Sequence, residues 1–421
     1  MHNEQGVDFR PAAITEQAID VTIVMPCLNE TQSLPYCIGN ALDALARLRA
    51  EYGMSGEIVV ADNGSTDGSQ ALATELGARV VAIPRRGYGA ALIGGCEAAK
   101  GRFILMGDCD GSYNFVEGVA MITRLAQGDD ICMGSRFKGG IAPGAMPWKN
   151  RYIGNPALTG ILNLFFRSGI GDAHCGLRAI RKEAFAGLRL TSSGMEFASE
   201  MVIKAALQKL KMTEVPATLS LDLRERAPHL RPWRDGWRHL RYLFMLSPTC
   251  LFGVPAIVGA LFSLLILAAA VTKELVPGIF PAVGNYWVVL GAALLGISHL
   301  AGILALACNL YGVRAGYRLP SRWIQRIARF ISLETMLVAG AAAITTGIVL
   351  LGVVLWSWQE RHFAATYSVL PAVIGTLCLT LGFQNALGGF LLAILGGNEA
   401  HFLTAAEAPR PTCADVFPAA A

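Results

Sequence analysis

The stretch "RFILMGDCDGSYNF", residues 102–115, is an apolar run that ends in two aspartates, Asp108 and Asp110, one residue apart. Three readings of the pair are open: a metal-holding site, the start of a calcium loop, or the plain end of a strand. A calcium loop places oxygen ligands at positions 1, 3 and 5, a glycine at 6 and a glutamate at 12. Counted from Asp108, these later positions are Ser112, Tyr113 and Val119, so the glycine and the glutamate are both missing. A hard divalent cation, Mg²⁺ or Mn²⁺, bridging one or two carboxylates and a substrate diphosphate fits better. Cys109, between the two acids, points away from them if the segment is extended, so packing is its expected role.

The run is one of five. Apolar, β-rich segments at 21–26, 57–62, 79–84, 102–108 and 130–135 alternate with helically spaced ones at 33–50, 68–77, 89–99 and 116–127. Such alternation predicts an α/β domain with a mostly parallel sheet and helices on both faces. Ligands of these sheets sit at the carboxyl ends of the strands. The residues just past each run are "PCLNE" with Asn29 and Glu30, "DNGSTDGS" with Asp62 and Asn63, "RRGYGAALIGG", the aspartate pair, and "SRFKGG" with Arg136 and Lys138. Each motif alone is weak: Asp and Gly often end strands, and the glycine loop lacks the ending of a P-loop. Their shared placement describes a polar edge suited to metal and phosphate.

The chain of 421 residues is 53% hydrophobic and 16% charged, with a mean hydropathy of +0.45. Most charges lie before residue 249. Four apolar segments follow, at about 249–272, 284–310, 331–356 and 366–396, each near or above the ~20 residues that cross a bilayer. The loop 311–330 carries Arg314, Arg318, Arg322, Arg326 and Arg329, whereas the neighbouring loops carry Lys273 and Arg361. The positive-inside rule makes that middle loop cytoplasmic, and four spans then leave both termini there. The polar N-terminus has no signal-peptide pattern, in agreement. Ten scattered cysteines without CxxC pairs read as free thiols. A net charge of +4 gives no reason to expect nucleic acid. Residues 224–248 interleave six arginines with Trp233, Trp237 and Tyr242. They read as an amphipathic helix at headgroup level or as a basic linker.

The ordered set "IVMPCLNE", "VVADNGSTDGS", "GYGAALIGG", "ILMGDCDGSYNF" and "MGSRFKGG" resembles a family 2 glycosyltransferase with the GT-A fold. "NRYIGNPALTGILNLFF", "DAHCGLRAIRKEAF" and "GMEFASEMVIKA" extend the likeness to the branch that moves a sugar from a nucleotide sugar to a polyprenyl phosphate, similar to dolichyl-phosphate mannose and glucose synthases. The resemblance implies a Rossmann-like GT-A domain over 20–223, after an extension at 1–19. The interfacial segment 224–248, an all-α membrane domain of four transmembrane helices within 249–398, and a cytoplasmic tail at 399–421 complete the expected organisation. It implies nucleotide-sugar contacts for Pro26, Asn29, Glu30, Asp62, Asn63, Gly87, Gly89 and Asp108, and an Mg²⁺ or Mn²⁺ ion on Asp108 and Asp110. Acceptor phosphate would meet Arg136, Arg151, Arg178, His174 and Arg231. Asp172, Glu200 and Arg136 would serve the chemistry. The implied partners are a UDP- or GDP-linked sugar, a polyprenyl phosphate and the membrane, which is expected to be a bacterial plasma membrane. A homo-oligomer is left open.

The chain departs from close family members at Gly111 and Asn114, where acids are usual, and at Asn63, which replaces the second acid of a common pair. The implied reaction is a single displacement that inverts the anomeric centre. The anionic phosphate nucleophile has little need of a strong base, so Asp172 would position or polarise. A processive synthase needs a Gln-x-x-Arg-Trp motif that the sequence lacks. Another membrane-lipid or polysaccharide acceptor stays an alternative, as does a scaffold or transporter with an inactive domain of this fold. His299 and Glu334 mark either a polar lipid path or satisfied buried groups.

Overall fold

A computed structural model describes residues 19–224, 232–276, 278–320, 324, 326, 330–364 and 368–402. The chain forms two compact units. One comprises Met1–Met146, Cys175–Lys182 and Thr213–Ala227; the other comprises Pro147–His174, Glu183–Met212 and Pro228–Ala421. Residues 147–174 and 183–212, within the span expected to form the glycosyltransferase domain, therefore cluster with the apolar helices.

The first unit is built on a seven-stranded sheet, β1 Val21–Cys27, β2 Gly56–Asp62, β3 Arg79–Ala82, β4 Phe103–Met106, β5 Ile131–Ser135, β6 Arg178–Arg181 and β7 Met212–Pro216. Their order is β3-β2-β1-β4-β6-β5-β7. β1 pairs in parallel with β2 and β4, and β2 with β3; β6 runs antiparallel between β4 and β5. This is the expected mostly parallel α/β sheet. β1 "VTIVMPC" and β4 "FILM" are nearly continuous apolar runs, as strands covered on both faces require. Helices α1 Leu34–Tyr52, α2 Ser69–Glu75, α3 Tyr88–Ala98 and α4 Gly118–Ala126 connect the early strands, and a single turn, α5 Arg136–Gly139, follows β5. α1 buries Leu34, Cys37, Ile38, Ala41, Ala44 and Leu48, one stripe at helical spacing. It stops at Gly53, whose φ of 66° closes the last turn.

The sheet order changes direction between β1 and β4. Cys27 at the end of β1 lies opposite Asp62, and Met106 lies opposite Val24. Asp62 at the end of β2 and the acids past β4 thus flank the end of β1, the crevice where open α/β sheets bind ligands.

The second unit contains α6 Asn155–Phe166, α7 Lys182–Leu188, α8 Phe197–Leu207, α9 Pro232–Met245, α10 Val254–Leu275, α11 Asn285–Arg314, α12 Leu333–Glu360 and α13 Leu370–Leu395. Four helical stretches are long and apolar enough to span a bilayer: Thr249–Leu275, Asn285–Arg314, Leu333–Glu360 and Leu370–Leu395. α12 and α13 approach so closely that a Cβ on Gly347 would lie 2.7 Å from Gly375 O, and one on Gly382 2.7 Å from Gly340 O. Small residues at such crossings replace the hydrophobic drive that lipid does not provide. His299 Nδ1 and Gln384 Oε1 lie 3.0 Å apart, so that intramembrane imidazole has a polar partner.

Candidate active site

The turn after β2 is held by Asp62, which is buried and accepts hydrogen bonds from Gly64 N (3.0 Å), Ser65 N (3.2 Å) and Gln70 Nε2 (2.6 Å). Asn29 adopts φ 58°, and its Oδ1 accepts from Thr66 N at 2.8 Å. Ser65 Oγ accepts from Asn29 N at 2.9 Å, and Ser69 Oγ accepts from Glu30 N at 2.9 Å. The loops after β1 and β2 are therefore stitched together. The sequence placed Asn29, Glu30 and Asp62 in one site but did not single out Ser65 and Ser69 as the residues that join the two loops. Pro26 lies within β1, opposite Ala61.

Asn63 uses both ends of its amide on backbone. Nδ2 donates to Ile83 O (3.1 Å) and Arg85 O (2.8 Å), while Oδ1 accepts from Gly87 N (2.7 Å). A carboxylate has no proton to donate to two carbonyls. An amide, rather than the acid expected from the resemblance, is what these two carbonyls require. Gly87 adopts φ 130° at the start of α3, and Gly89 is buried in its first turn.

The acidic pair sits past β4. Asp108 Oδ1 accepts from Tyr88 Oη at 2.8 Å. A Cβ on Gly176 would lie 2.4 Å from Asp108 Oδ2, so that glycine leaves room for the carboxylate. Burial, reinforced by the charge of Asp110, pushes the Asp108 carboxyl up to about 6. Asp110 Oδ1 accepts from Ser112 N and Ser112 Oγ, and Oδ2 accepts from Arg224 Nη2 at 2.8 Å. The Arg224 guanidinium also bonds Asp222 and lies 3.4 Å from Glu30 Oε1. Burial opposes its charge, yet the Asp222 bond and the charges of Asp110 and Glu30 hold its pKa above the usual arginine range.

Gly111 has φ 81°, and a Cβ there would lie 2.5 Å from Leu223 Cδ1. Leu223 N in turn donates to Asp110 O at 2.9 Å, and Ser220 N to Ser112 O at 2.9 Å. Residues 220–224 lie along the aspartate loop, and the Leu223 side chain fills the space that a side chain at Gly111 would need. Asn114 Oδ1 accepts from Val116 N and from Asn40 Nδ2, both at 3.0 Å, so its side chain serves the following turn. Cys109 is buried; its thiol is pushed up by Cys27, by Cys37 and by burial. Packing is its role, as expected. Arg136 and Arg178 are both buried, and Arg178 Nε donates to Cys175 O at 2.7 Å.

The remaining expected site residues belong to the second unit. Asp172 is fully buried. Ser199 Oγ lies 2.8 Å from His239 Nδ1 and 3.3 Å from His174 Nε2, and the two imidazoles meet edge to face at 4.9 Å. Glu200 is fully buried; it accepts from Thr191 N (3.1 Å) and Ser192 N (2.8 Å) and pairs with Lys204 at 2.7 Å. Burial alone would raise its pKa, but the Lys204 bond and charge, with Ser192 N and Tyr242, hold it below the usual carboxylate value. The Arg151 guanidinium lies 5.4 Å from the centre of the Tyr152 ring. Arg231 lies outside the described residues. Sequence reasoning missed Tyr88, Asp222 and His239; Arg224 was read only as part of a membrane-facing segment.

Among the described residues, no three His, Cys, Asp or Glu side chains gather as a ready-made cation cage. The donor set still suits a divalent cation. Burial, and after it the charge of Asp110, raises Asp108, and a cation, the Arg224 guanidinium, already lies on Asp110. Mg²⁺ and Mn²⁺ sites of this type need one or two carboxylates, the substrate diphosphate supplying the rest.

Residues 22–189 match Glycosyl transferase family 2, and residues 306–396 match the Glycosyltransferase family 2 C-terminal transmembrane region. The low-salt glycan biosynthesis hexosyltransferase Agl6 of Haloferax volcanii is 32% identical over 405 residues, 94% of this chain and 93% of that protein. The polyprenol monophosphomannose synthase of Mycolicibacterium smegmatis is 29% identical over 232 residues, covering 52% of this chain and 83% of that protein. A dolichyl-phosphate hexose transferase of Haloferax volcanii is 28% identical over 219 residues, covering 52% and 89%. The likeness to Agl6 runs through both the sheet unit and the apolar helices, and the chain belongs to glycosyltransferase family 2.

Proposed function

We propose that the protein transfers one sugar from a nucleotide-diphosphate sugar to a membrane polyprenyl phosphate, with inversion at the anomeric carbon. The observation that carries the reading is the Asp108–Asp110 pair at the switch point of a family 2 domain, with cationic Arg224 on Asp110. The lipid acceptor is supported by relatives named for polyprenol and dolichyl phosphate and by four helices long enough to span a bilayer.

In this reading, the Asp62 and Asn63 turns shape the nucleoside end of the site. An Mg²⁺ or Mn²⁺ ion on Asp108 and Asp110 would neutralise the departing diphosphate. Tyr88 fixes the rotamer of Asp108. A lipid phosphate oxygen forms a bond to the anomeric carbon as the bond from that carbon to the diphosphate oxygen breaks, and the nucleoside diphosphate leaves with the electron pair. Arg136 and Arg178 supply fixed positive charge for the phosphates. Arg151, Asp172 and His174 are assigned to the acceptor side. Glu200 spends its carboxylate on Lys204, Thr191 and Ser192, so its role is to position helix α8. Both termini and the sheet unit face the cytoplasm in this account.

Release of nucleoside diphosphate from UDP- and GDP-sugars, with and without polyprenyl phosphate, tests the proposal. Release should require the lipid. Equal release in its absence would overturn the acceptor assignment.

A further inference from the structure

Within the second unit, α8 carries two of the side chains described above. Ser199 contacts His174 and His239, and Glu200 accepts from the backbone of Thr191 and Ser192. One turn on, Lys204 is a buried cation, 5% exposed. An ammonium is tolerated in such a place only where its charge is answered. Lys204 Nζ bonds Glu200 Oε1 at 2.7 Å and Arg189 O at 2.6 Å, and it lies 5.7 Å from the centre of the Tyr317 ring. A cation within about 6 Å of an aromatic face is attracted to it, the more so where water is excluded.

Tyr317 is far from α8 in sequence. It lies in the loop after α11, the second of the four apolar stretches. Its ring rests on the last turn of that helix: a Cβ on Gly312 would lie 3.0 Å from Tyr317 Oη. The rest of the loop is seated on the end of α8 and on the segment before it. Gln208 Nε2 donates to Gly316 O (3.2 Å), Leu319 N to Leu207 O (3.4 Å) and Arg189 Nη1 to Ala315 O (3.4 Å). Arg318 ties the loop to two further helices, donating to Asn309 Oδ1 on α11 and to Leu246 O just past α9, the latter at 2.7 Å. In the sequence, these residues count only as part of a positively charged loop; in the fold, each has a specific partner.

We propose that Tyr317 is a positioning residue: the loop joining the second and third apolar helices braces α8, and through Ser199 it sets His174 on the acceptor side. The apolar helices then do more than anchor, because the placement of an acceptor-side imidazole depends on the end of α11. Removal of the Tyr317 ring leaves the Lys204 ammonium with Glu200 and Arg189 O alone, and leaves a void between α8 and Gly312. The acceptor half of the proposal rests on the polyprenyl phosphate reading above; the bracing half does not.

The test compares the full-length protein in nanodiscs with its Tyr317→Phe, Tyr317→Leu and Tyr317→Met variants. Phe keeps the aromatic face, whereas Leu and Met keep apolar bulk without it. Hydrogen exchange, read by mass spectrometry on peptides covering residues 189–207, should be roughly ten-fold faster in the Leu and Met variants and parent-like in the Phe variant. The Leu and Met variants should also show a KM for polyprenyl phosphate raised several-fold, with the KM for the nucleotide sugar unchanged. Parent-like exchange in the Leu and Met variants, equally fast exchange in all three variants, or a donor KM that rises in step with the acceptor KM would overturn the proposal. The exchange measurement needs no sugar transfer. The expected exchange pattern in a protein that adds no sugar to polyprenyl phosphate would contradict the acceptor reading and leave the brace standing.

Discussion

Arg224 Nη2 lies 2.8 Å from Asp110 Oδ2, placing a guanidinium on the carboxylate that is assigned to a metal ion. The same guanidinium is shared with Asp222 and Glu30. That single guanidinium offsets only part of the charge of Asp110, Asp222 and Glu30.

A competing cation weakens the hold on any incoming one. Arg224→Gln should therefore tighten Mn²⁺ binding in the absence of donor by about ten-fold, the equivalent of about 1.4 kcal/mol for one partly exposed charge-assisted bond. Electron paramagnetic resonance titration of free Mn²⁺ measures this. Unchanged or weaker binding would show that Arg224 does not contend for the site.

Asp108 keeps its proton in the folded protein up to about 6, against an ordinary value of 3.8. Between those values the folded state binds the extra proton, so this contribution to stability is present below about pH 4 and is lost as pH rises through about 6. Asp108→Asn should accordingly raise the thermal midpoint at pH 7.5, by a stabilisation on the order of 1–3 kcal/mol, while sugar transfer is lost. Mn²⁺ binding by the parent protein should strengthen as pH rises through the same window. A midpoint that falls in the asparagine variant would contradict the strained carboxylate.

Asn63→Asp restores the residue type expected at this position in relatives. It removes two donors to Ile83 O and Arg85 O, and a buried acceptor left unmatched costs roughly 1–3 kcal/mol. The variant should lose thermal stability and show a raised KM for the nucleotide sugar. A stable variant with unchanged KM would mean that the loop at 83–87 does not shape the donor site.

Gly111→Asp meets two obstacles, a φ of 81° and the Leu223 side chain 2.5 Å from the new Cβ. The backbone strain alone is about 1–3 kcal/mol. Shortening Leu223 to Ala should recover part of the lost stability in a double-mutant cycle. Purely additive effects would show that the segment at 220–224 does not occupy that space.

The sheet, its edge and the four apolar helices were legible because their signals are local. β1 and β4 are nearly continuous apolar runs, Asp62 ends β2, and Asp108 lies two residues past β4. β6 was not legible as a strand: "RAIR" is four residues long with an arginine at each end, and its pairing between β4 and β5 is set by residues far away in sequence. Arg224 was hidden for the same reason. Within its own segment it looks like one more membrane-facing cation, and only the pairing of residues 220–224 with the aspartate loop brings it to Asp110. Glu200 shows the reverse. Its motif suggested a cleft acid, whereas tertiary packing surrounds it with the backbone of Thr191 and Ser192 and the ammonium of Lys204.

The most direct measurement is mass spectrometry of the lipid fraction after the purified protein is incubated with polyprenyl phosphate, Mn²⁺ and each of a panel of UDP- and GDP-sugars. The account predicts a polyprenyl phosphate heavier by one sugar residue with at least one donor, and none with an Asp110→Asn variant that still inserts in the membrane. Addition of several sugars, or the same product from the Asp110→Asn variant, would contradict it.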